Sequence, residues 1–241
     1  MISFGKRIAL VLVVFLVVQL ILPADFLRQN VKAHEESFYD DEDVEDLELK
    51  IISEPVTFFE IDKREGELQL LDLSNWEAVQ LTSGSGANWV VDGTGTEVLQ
   101  TLNSIPSVFI SDIELTNDVM EGVWRVDTGS DDDFMGFVFG YQDKGHFYLF
   151  DWKQYNQTIS NRTGLQGMCV KVVNTDITLS EYDFWNTAGV GEYIKTLYSN
   201  RISYKDYTDY GFILKFQPGR FEITIKEGET IIETIEIEDD T

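Results

Sequence analysis

The alternation of apolar and polar residues between Phe212 and Ile237 is the strongest constraint on what this chain can fold into. Phe212-Ile213-Leu214-Lys215-Phe216, Phe221-Glu222-Ile223-Thr224-Ile225 and Ile231 to Ile237 are β-favouring segments separated by turns at Pro218-Gly219 and Glu227-Gly228. Successive side chains of a strand point to opposite faces, so this pattern predicts a meander with one buried face and one wet face. A helix needs apolar residues three and four apart, and that spacing is weak everywhere after the N-terminal apolar run.

The same signature recurs upstream. Val56 to Ile61 and Leu68 to Leu71 flank a turn at Arg64-Glu65-Gly66-Glu67. From Glu121 to Asp127, Val123, Arg125 and Asp127 alternate with Gly122, Trp124 and Val126, as in a half-buried strand. Phe134 to Tyr141 and His146 to Trp152 read as a hairpin around Gln142-Asp143-Lys144-Gly145, where the glycine supplies the flexibility a tight turn needs. Met168 to Asn174 is a further strand. The expected fold is an all-β sandwich preceded by a signal segment.

The length of 241 residues suits one sandwich with extensions. Hydrophobic residues at 43% and aromatics at 13% supply enough apolar material for a core. A net charge of −25 excludes a basic nucleic-acid face and suits a secreted surface that tolerates or uses cations. Lys6 and Arg7 precede the apolar run Ile8 to Leu22, interrupted by Gln19, which is short for a membrane span and right for a signal core. With a cleavage site at Val31-Lys32-Ala33, residues 1–33 are expected to be a signal peptide, with no membrane insertion after cleavage; an uncleaved anchor is the alternative. Residues 34–55, rich in acid at Glu35-Glu36 and from Asp40 to Glu48, read as a solvated linker before a domain at 56–241. Cys169 is the only cysteine, so no intrachain disulfide forms, and in an extracellular chain this points to a bacterial source. Its expected place is a buried strand position.

Three constellations carry candidate chemistry. Asp131, Asp132 and Asp133 run directly into the strand that starts at Phe134. Adjacent carboxylates repel, so such a triplet is either solvated or held by a cation, and calcium favours hard oxygens of this kind. Trp152 and Gln154 sit at alternate positions and could stack on and hydrogen-bond a sugar; the alternative is core packing for Trp152, with Lys153 and Gln154 fixing register. Glu60-Ile61-Asp62-Lys63-Arg64-Glu65 matches the E-x-D-x-x-E pattern of laminarinase-like glucanases, in which two glutamates perform retaining hydrolysis. Lys63-Arg64 followed by Gly66 reads instead as a hairpin turn, which would not hold Glu60 and Glu65 in one groove. His34 and His146 are the only histidines, and no CxxC, HExxH or phosphate loop occurs, so other enzyme chemistry has little to build on.

These residues resemble the C-terminal domain of thrombospondins. The resemblance rests on Asp131 to Gln142 followed by Phe147-Tyr148 and Trp152-Lys153-Gln154, on Asn88-Trp89-Val90-Val91 and Glu97 to Pro106 upstream, and on Val170 to Asn174 downstream. Phe184 to Gly189, Lys195-Thr196-Leu197 and Tyr204-Lys205-Asp206 follow the pattern more loosely, and the motifs stand in matching order from Asp72 to Thr241. The resemblance implies a jelly-roll β-sandwich of the concanavalin A-like lectin or glucanase type. It further implies calcium as the cofactor, at Asp131, Asp132 and Asp133, and a secreted, non-enzymatic module for calcium-dependent adhesion to a cell-surface or matrix glycan or protein. The competing class is a glycoside hydrolase using Glu60 and Glu65. Family members carry a further GR-G-F-FSQ strand and one more after the position of Ile237 to Thr241, so the domain is expected to be C-terminally incomplete.

Overall fold

The computed structural model describes residues 11–14, 59–62, 68–111, 113, 118–130, 132–187, 193–217 and 219–239. The expected linker at 34–55, the cleavage site at Val31-Lys32-Ala33, Glu65 and Asp131 lie outside the described residues. The strands among these residues are β1 (Val11–Val14), β2 (Phe59–Asp62), β3 (Leu68–Leu70), β4 (Glu77–Gln80), β5 (Trp89–Val91) and β6 (Val98–Gln100). They continue with β7 (Ser107–Ile110), β8 (Asp118–Trp124), β9 (Phe134–Asp143), β10 (His146–Lys153), β11 (Gln157–Ile159) and β12 (Arg162–Gly164). The last are β13 (Gly167–Asn174), β14 (Ile194–Ser199), β15 (Tyr210–Gln217), β16 (Arg220–Glu227) and β17 (Thr230–Glu238), with a short helix α1 (Glu181–Phe184) between β13 and β14.

Two antiparallel sheets form the sandwich. The front sheet has the order β14-β13-β10-β9-β1-β7-β4 and the back sheet β17-β16-β15-β8-β2-β3, with β5-β6 and β11-β12 as separate hairpins. The expected meander is the β15-β16-β17 part of the back sheet, and the expected hairpin is β9-β10. The β2-β3 hairpin also forms, with Glu60 opposite Leu70 and Asp62 opposite Leu68. The strand expected from Glu121 to Asp127 runs instead from Asp118 to Trp124. Beyond Trp124 the chain leaves the sheet, and the carbonyl of Val126 accepts from the Tyr207 amide at 2.8 Å.

Aromatic rings join the sheets. Phe137 of β9 stacks on Phe212 of β15 with centroids 4.7 Å apart, and Phe139 meets the edge of Phe221 of β16 at 4.8 Å. Each such pair contributes about 0.5–1.5 kcal/mol beyond simple burial. The front sheet has a second cover on its outer face. Val108, Val138, Phe147, Leu149 and Val173 pack there against Leu81, Leu179, Phe184 and Ile194. Helix α1 contributes Phe184 to this cover, and its start is held by the Asp183 carboxylate, which accepts from the Ser180 amide and hydroxyl, each at 2.8 Å. Covered on both faces, β9 is buried at every position from Phe134 to Phe139, whereas β15 alternates.

Gly136 shows how tightly this sheet is built. It stands opposite Asp151, and a Cβ added there would lie 2.0 Å from the Phe150 carbonyl oxygen, so only glycine fits. The β11-β12 turn requires positive φ at both central positions and has it, at 46° for Ser160 and 63° for Asn161. Four residues of the expected signal core form β1, in the same compact unit as the strands from Phe59 onward. No helix among the described residues is long and apolar enough to cross a membrane.

Candidate functional site

The loops after β8 and β10 and the segment before β15 meet at one end of the sandwich, beside the start of β9. There the acidic loop is held from the protein side by Lys153, the last residue of β10. Its ammonium donates to the Asp132 carbonyl at 2.9 Å and to Gln157 Oε1 at 2.8 Å, and lies 3.4 Å from Asp133 Oδ1. The Tyr204 hydroxyl donates to the Asp133 carbonyl at 2.7 Å. Just before the loop, the Ser130 amide donates to the Thr128 hydroxyl at 3.2 Å. Lys153 is 0% exposed, and its ammonium lies 5.0 Å from the ring centroid of Phe134 and 4.9 Å from that of Trp185. Strand direction explains the burial: Lys153 shares the outer face of β10 with Phe147 and Leu149, the face the second cover closes.

The cation visible beside Asp132 and Asp133 is therefore an ammonium. Both residues are half-buried and offer hard oxygens of the kind calcium takes. Among the described residues, no three histidine, cysteine or acidic side chains converge on a metal-sized point. The expected calcium site at Asp131, Asp132 and Asp133 thus has only Asp132 and Asp133 in view, since Asp131 lies outside the described residues.

Trp152 points the other way, into the core between the sheets. It is fully buried, its indole N–H donates to the Ile202 carbonyl at 2.6 Å, and its ring meets that of Tyr210 at 4.6 Å. Gln154 is buried too. Its side-chain amide donates to Asp206 Oδ1 at 3.0 Å, and its backbone carbonyl accepts from the Ser203 hydroxyl at 2.7 Å. The structure places the pair in the core-packing role, tying β10 to the 200–209 segment, and presents neither as an open platform for a sugar ring. Glu60 lies on β2 opposite Leu70 and Glu121. With Glu65 outside the described residues, no paired-carboxylate groove is assembled within them.

Sequence reasoning missed a buried ion pair on the outer face of the front sheet. The Lys171 ammonium on β13 donates to Asp151 Oδ2 at 2.5 Å and to the Phe184 carbonyl at 2.8 Å. Their side chains are 0% and 3% exposed, and Asp151 Oδ1 has no hydrogen-bond partner among the described residues. Burial pushes the Asp151 carboxyl above its ordinary range, against the pull of Lys171 and Lys153. Burial also pulls on Lys171 in the direction of neutrality, but the adjacent carboxylate more than offsets this and leaves its pKa raised. Burial, reinforced by Asp151, pushes the Cys169 thiol up to about 12, so it is inert at neutral pH, in keeping with its expected strand position. The available signal was charge inside strands that are otherwise apolar: Asp151 and Lys153 two apart on β10, and Lys171 within Met168 to Val173.

A second carboxylate organises the β5-β6 turn. Asp92 accepts from the Thr94 hydroxyl at 2.5 Å and from the amides of Thr94, Thr96 and Glu97 at 3.0, 3.0 and 3.1 Å. The Thr94 hydroxyl foremost lowers its pKa; desolvation opposes this, and the three amides add to the lowering, leaving it at about 2. A carboxylate whose folded pKa lies below its unfolded value, about 3.9, contributes stability above that value and loses it as pH falls. We expect the Thr94, Thr96 and Glu97 amide resonances to titrate together with a midpoint near 2. A midpoint at the ordinary aspartate value would show that the turn does not form in solution.

Fold and site together define a class: an all-β sandwich whose acidic end loop is anchored by a buried lysine, with no catalytic pair assembled among the described residues. The thrombospondin C-terminal region family matches residues 85–241, and the chain belongs to this family. It is 33% identical to thrombospondin-2 of Bos taurus over 177 residues, covering 67% of this chain and 15% of that protein. It is 34% identical to thrombospondin-2 of Gallus gallus over 157 residues, covering 60% of this chain and 13% of the relative. Thrombospondin-4 of Mus musculus is 30% identical over 182 residues, covering 69% of this chain and 19% of the relative. The chain thus spans less than a fifth of the length of these relatives. Their vertebrate origin overturns the expectation of a bacterial source. That expectation rested on the single cysteine, which rules out an intrachain disulfide and carries no information about the host.

Proposed function

We propose that the chain is an extracellular, non-enzymatic adhesion module that binds a cell-surface or matrix glycan or protein, with calcium held at Asp131, Asp132 and Asp133. Membership of the thrombospondin C-terminal region family supports the adhesion reading. The observation that carries the metal reading is the anchoring of Asp132 and Asp133 by Lys153 and Tyr204. A loop whose backbone is already fixed has less ordering entropy to lose when a cation recruits its carboxylates. Export through the N-terminal signal at 1–33 fits a net charge of −25, which also favours divalent cations over nucleic acid as partners.

Scanning calorimetry of the full chain with and without calcium tests this. At a calcium concentration of 100 times Kd, the native state gains about 2.7 kcal/mol, enough to raise Tm by several degrees. Asp131→Asn, Asp132→Asn and Asp133→Asn combined should remove that rise, while the calcium-free Tm also falls because Asp133→Asn takes the charged partner from buried Lys153. An unchanged Tm in calcium would end the metal reading; a rise that persists in the triple variant would move the ion elsewhere.

A further inference from the structure

The β11-β12 hairpin carries a repeated motif that the adhesion reading leaves unused. Asn156-Gln157-Thr158 and Asn161-Arg162-Thr163 each present asparagine, a residue other than proline, and threonine, the acceptor pattern for N-linked glycan transfer. The fold puts them at opposite ends of one short ribbon. Asn156 precedes β11, whereas Asn161 is in the turn before β12.

The ribbon is fixed to the sandwich at its root and along β12. Gln157 Oε1 accepts from the buried Lys153 ammonium at 2.8 Å. The Thr187 amide donates to the Thr163 carbonyl at 3.2 Å, and the Arg162 guanidinium donates to Asp183 Oδ1 at 3.5 Å. Ser160 and Asn161, at the turn, are both exposed.

Geometry separates the two asparagines. Asn156 is exposed, but its Oδ1 accepts from the Gln166 amide at 2.8 Å, which ties its carboxamide across the root of the ribbon. Asn161 has a φ of 63°, a conformation asparagine tolerates better than most residues with a side chain. Its carboxamide has no hydrogen-bond partner among the described residues, so it stands in solvent on a rigid turn. Thr163 faces Thr158 across the ribbon, with the hydroxyl oxygens 3.1 Å apart. Only one of these hydroxyls donates to the other, so one hydroxyl proton remains for contact with a transferase.

We propose that Asn161 is an N-glycosylation site, filled as the chain is exported, and that Asn156 stays bare as a structural tie. The donor is a lipid-linked oligosaccharide. Asn161 Nδ2 forms a bond to the anomeric carbon of the first sugar as the bond from that carbon to the lipid pyrophosphate oxygen breaks. One amide proton passes to a base of the transferase, the lipid pyrophosphate departs, and Asn161 keeps its Oδ1 and one N–H. Transfer at Asn161 presupposes the extracellular reading, since the donor is met on the way out of the cell. The glycan would sit at the end of β11, whose other edge has no strand neighbour among the described residues. A bulky, solvated group there keeps that edge from pairing with another chain.

Translation of the full chain in the presence of eukaryotic microsomes provides the test. The protease-protected chain should carry one glycan, removable by peptide N-glycanase, which leaves aspartate at position 161 for peptide mass mapping to read. Asn161→Asp, which suits the same backbone angles, should abolish the glycan, and so should Thr163→Val, which keeps the side-chain shape. Asn156→Asp preserves the acceptor for the Gln166 amide and should leave the glycan in place. A protected chain without a glycan would overturn the proposal, as would a glycan that survives Asn161→Asp. A chain left open to protease would overturn the export reading and the proposal with it, so the two failures are distinguishable.

Discussion

Lys171→Met is expected to lower the free energy of unfolding by about 3–5 kcal/mol, because it leaves the Asp151 carboxylate buried without its ammonium. The lost bond to Lys171 is only part of the cost. Asp151 Oδ1 already lacks a hydrogen-bond partner among the described residues, so the remaining charge would have little else to lean on. The double replacement Asp151→Leu with Lys171→Met should recover most of the loss, since two apolar side chains remove both desolvation penalties. Urea denaturation of the two single variants and the double variant gives the coupling directly. With its pKa raised in the folded state, Lys171 contributes stability below its unfolded value of about 10.4 and loses it as pH climbs through the higher folded value. Single variants as stable as the parent would mean the pair is solvated in solution.

Trp152→Ala should cost about 3–5 kcal/mol, the range for emptying a buried aromatic site. The cavity would open beside Tyr210 and Tyr204, and the Ile202 carbonyl would lose its indole donor. Trp152→Phe should cost less, keeping a ring in the core while still orphaning that carbonyl. This series separates the two roles open to Trp152 on sequence grounds. A packing residue changes the denaturation midpoint and the 200–209 segment; a sugar platform changes ligand affinity at constant midpoint. An alanine variant with parental stability would remove Trp152 from the core account.

Local chemistry made much of the fold legible. The meander β15-β16-β17 follows from a period of two and glycine turns, and the β9-β10 hairpin from its Lys144-Gly145 turn, because both signals act between neighbours. The family was legible from motif order for the same reason: each motif belongs to one strand or loop. The acidic triplet was visible as either solvated or held by a cation, but Lys153 reaches Asp132 and Asp133 only because β10 runs antiparallel beside β9. Trp152 had two readings, since a strand residue's face is known from pattern but not what lies over that face.

Residue order by itself determined the C-terminal meander, the β2-β3 and β9-β10 hairpins with their turns, the family and the burial of Cys169. Only tertiary structure decided that Leu179 and Phe184 cover the outer face of the front sheet, turning Asp151, Lys153 and Lys171 from surface charges into interior ones. The same holds for Val11–Val14, whose partners Ile110 and Val138 are remote in the chain. Periodicity reports which side of a strand is apolar; which strand lies beside it, and what covers it, is set by contacts whose entropy of closure no local pattern encodes.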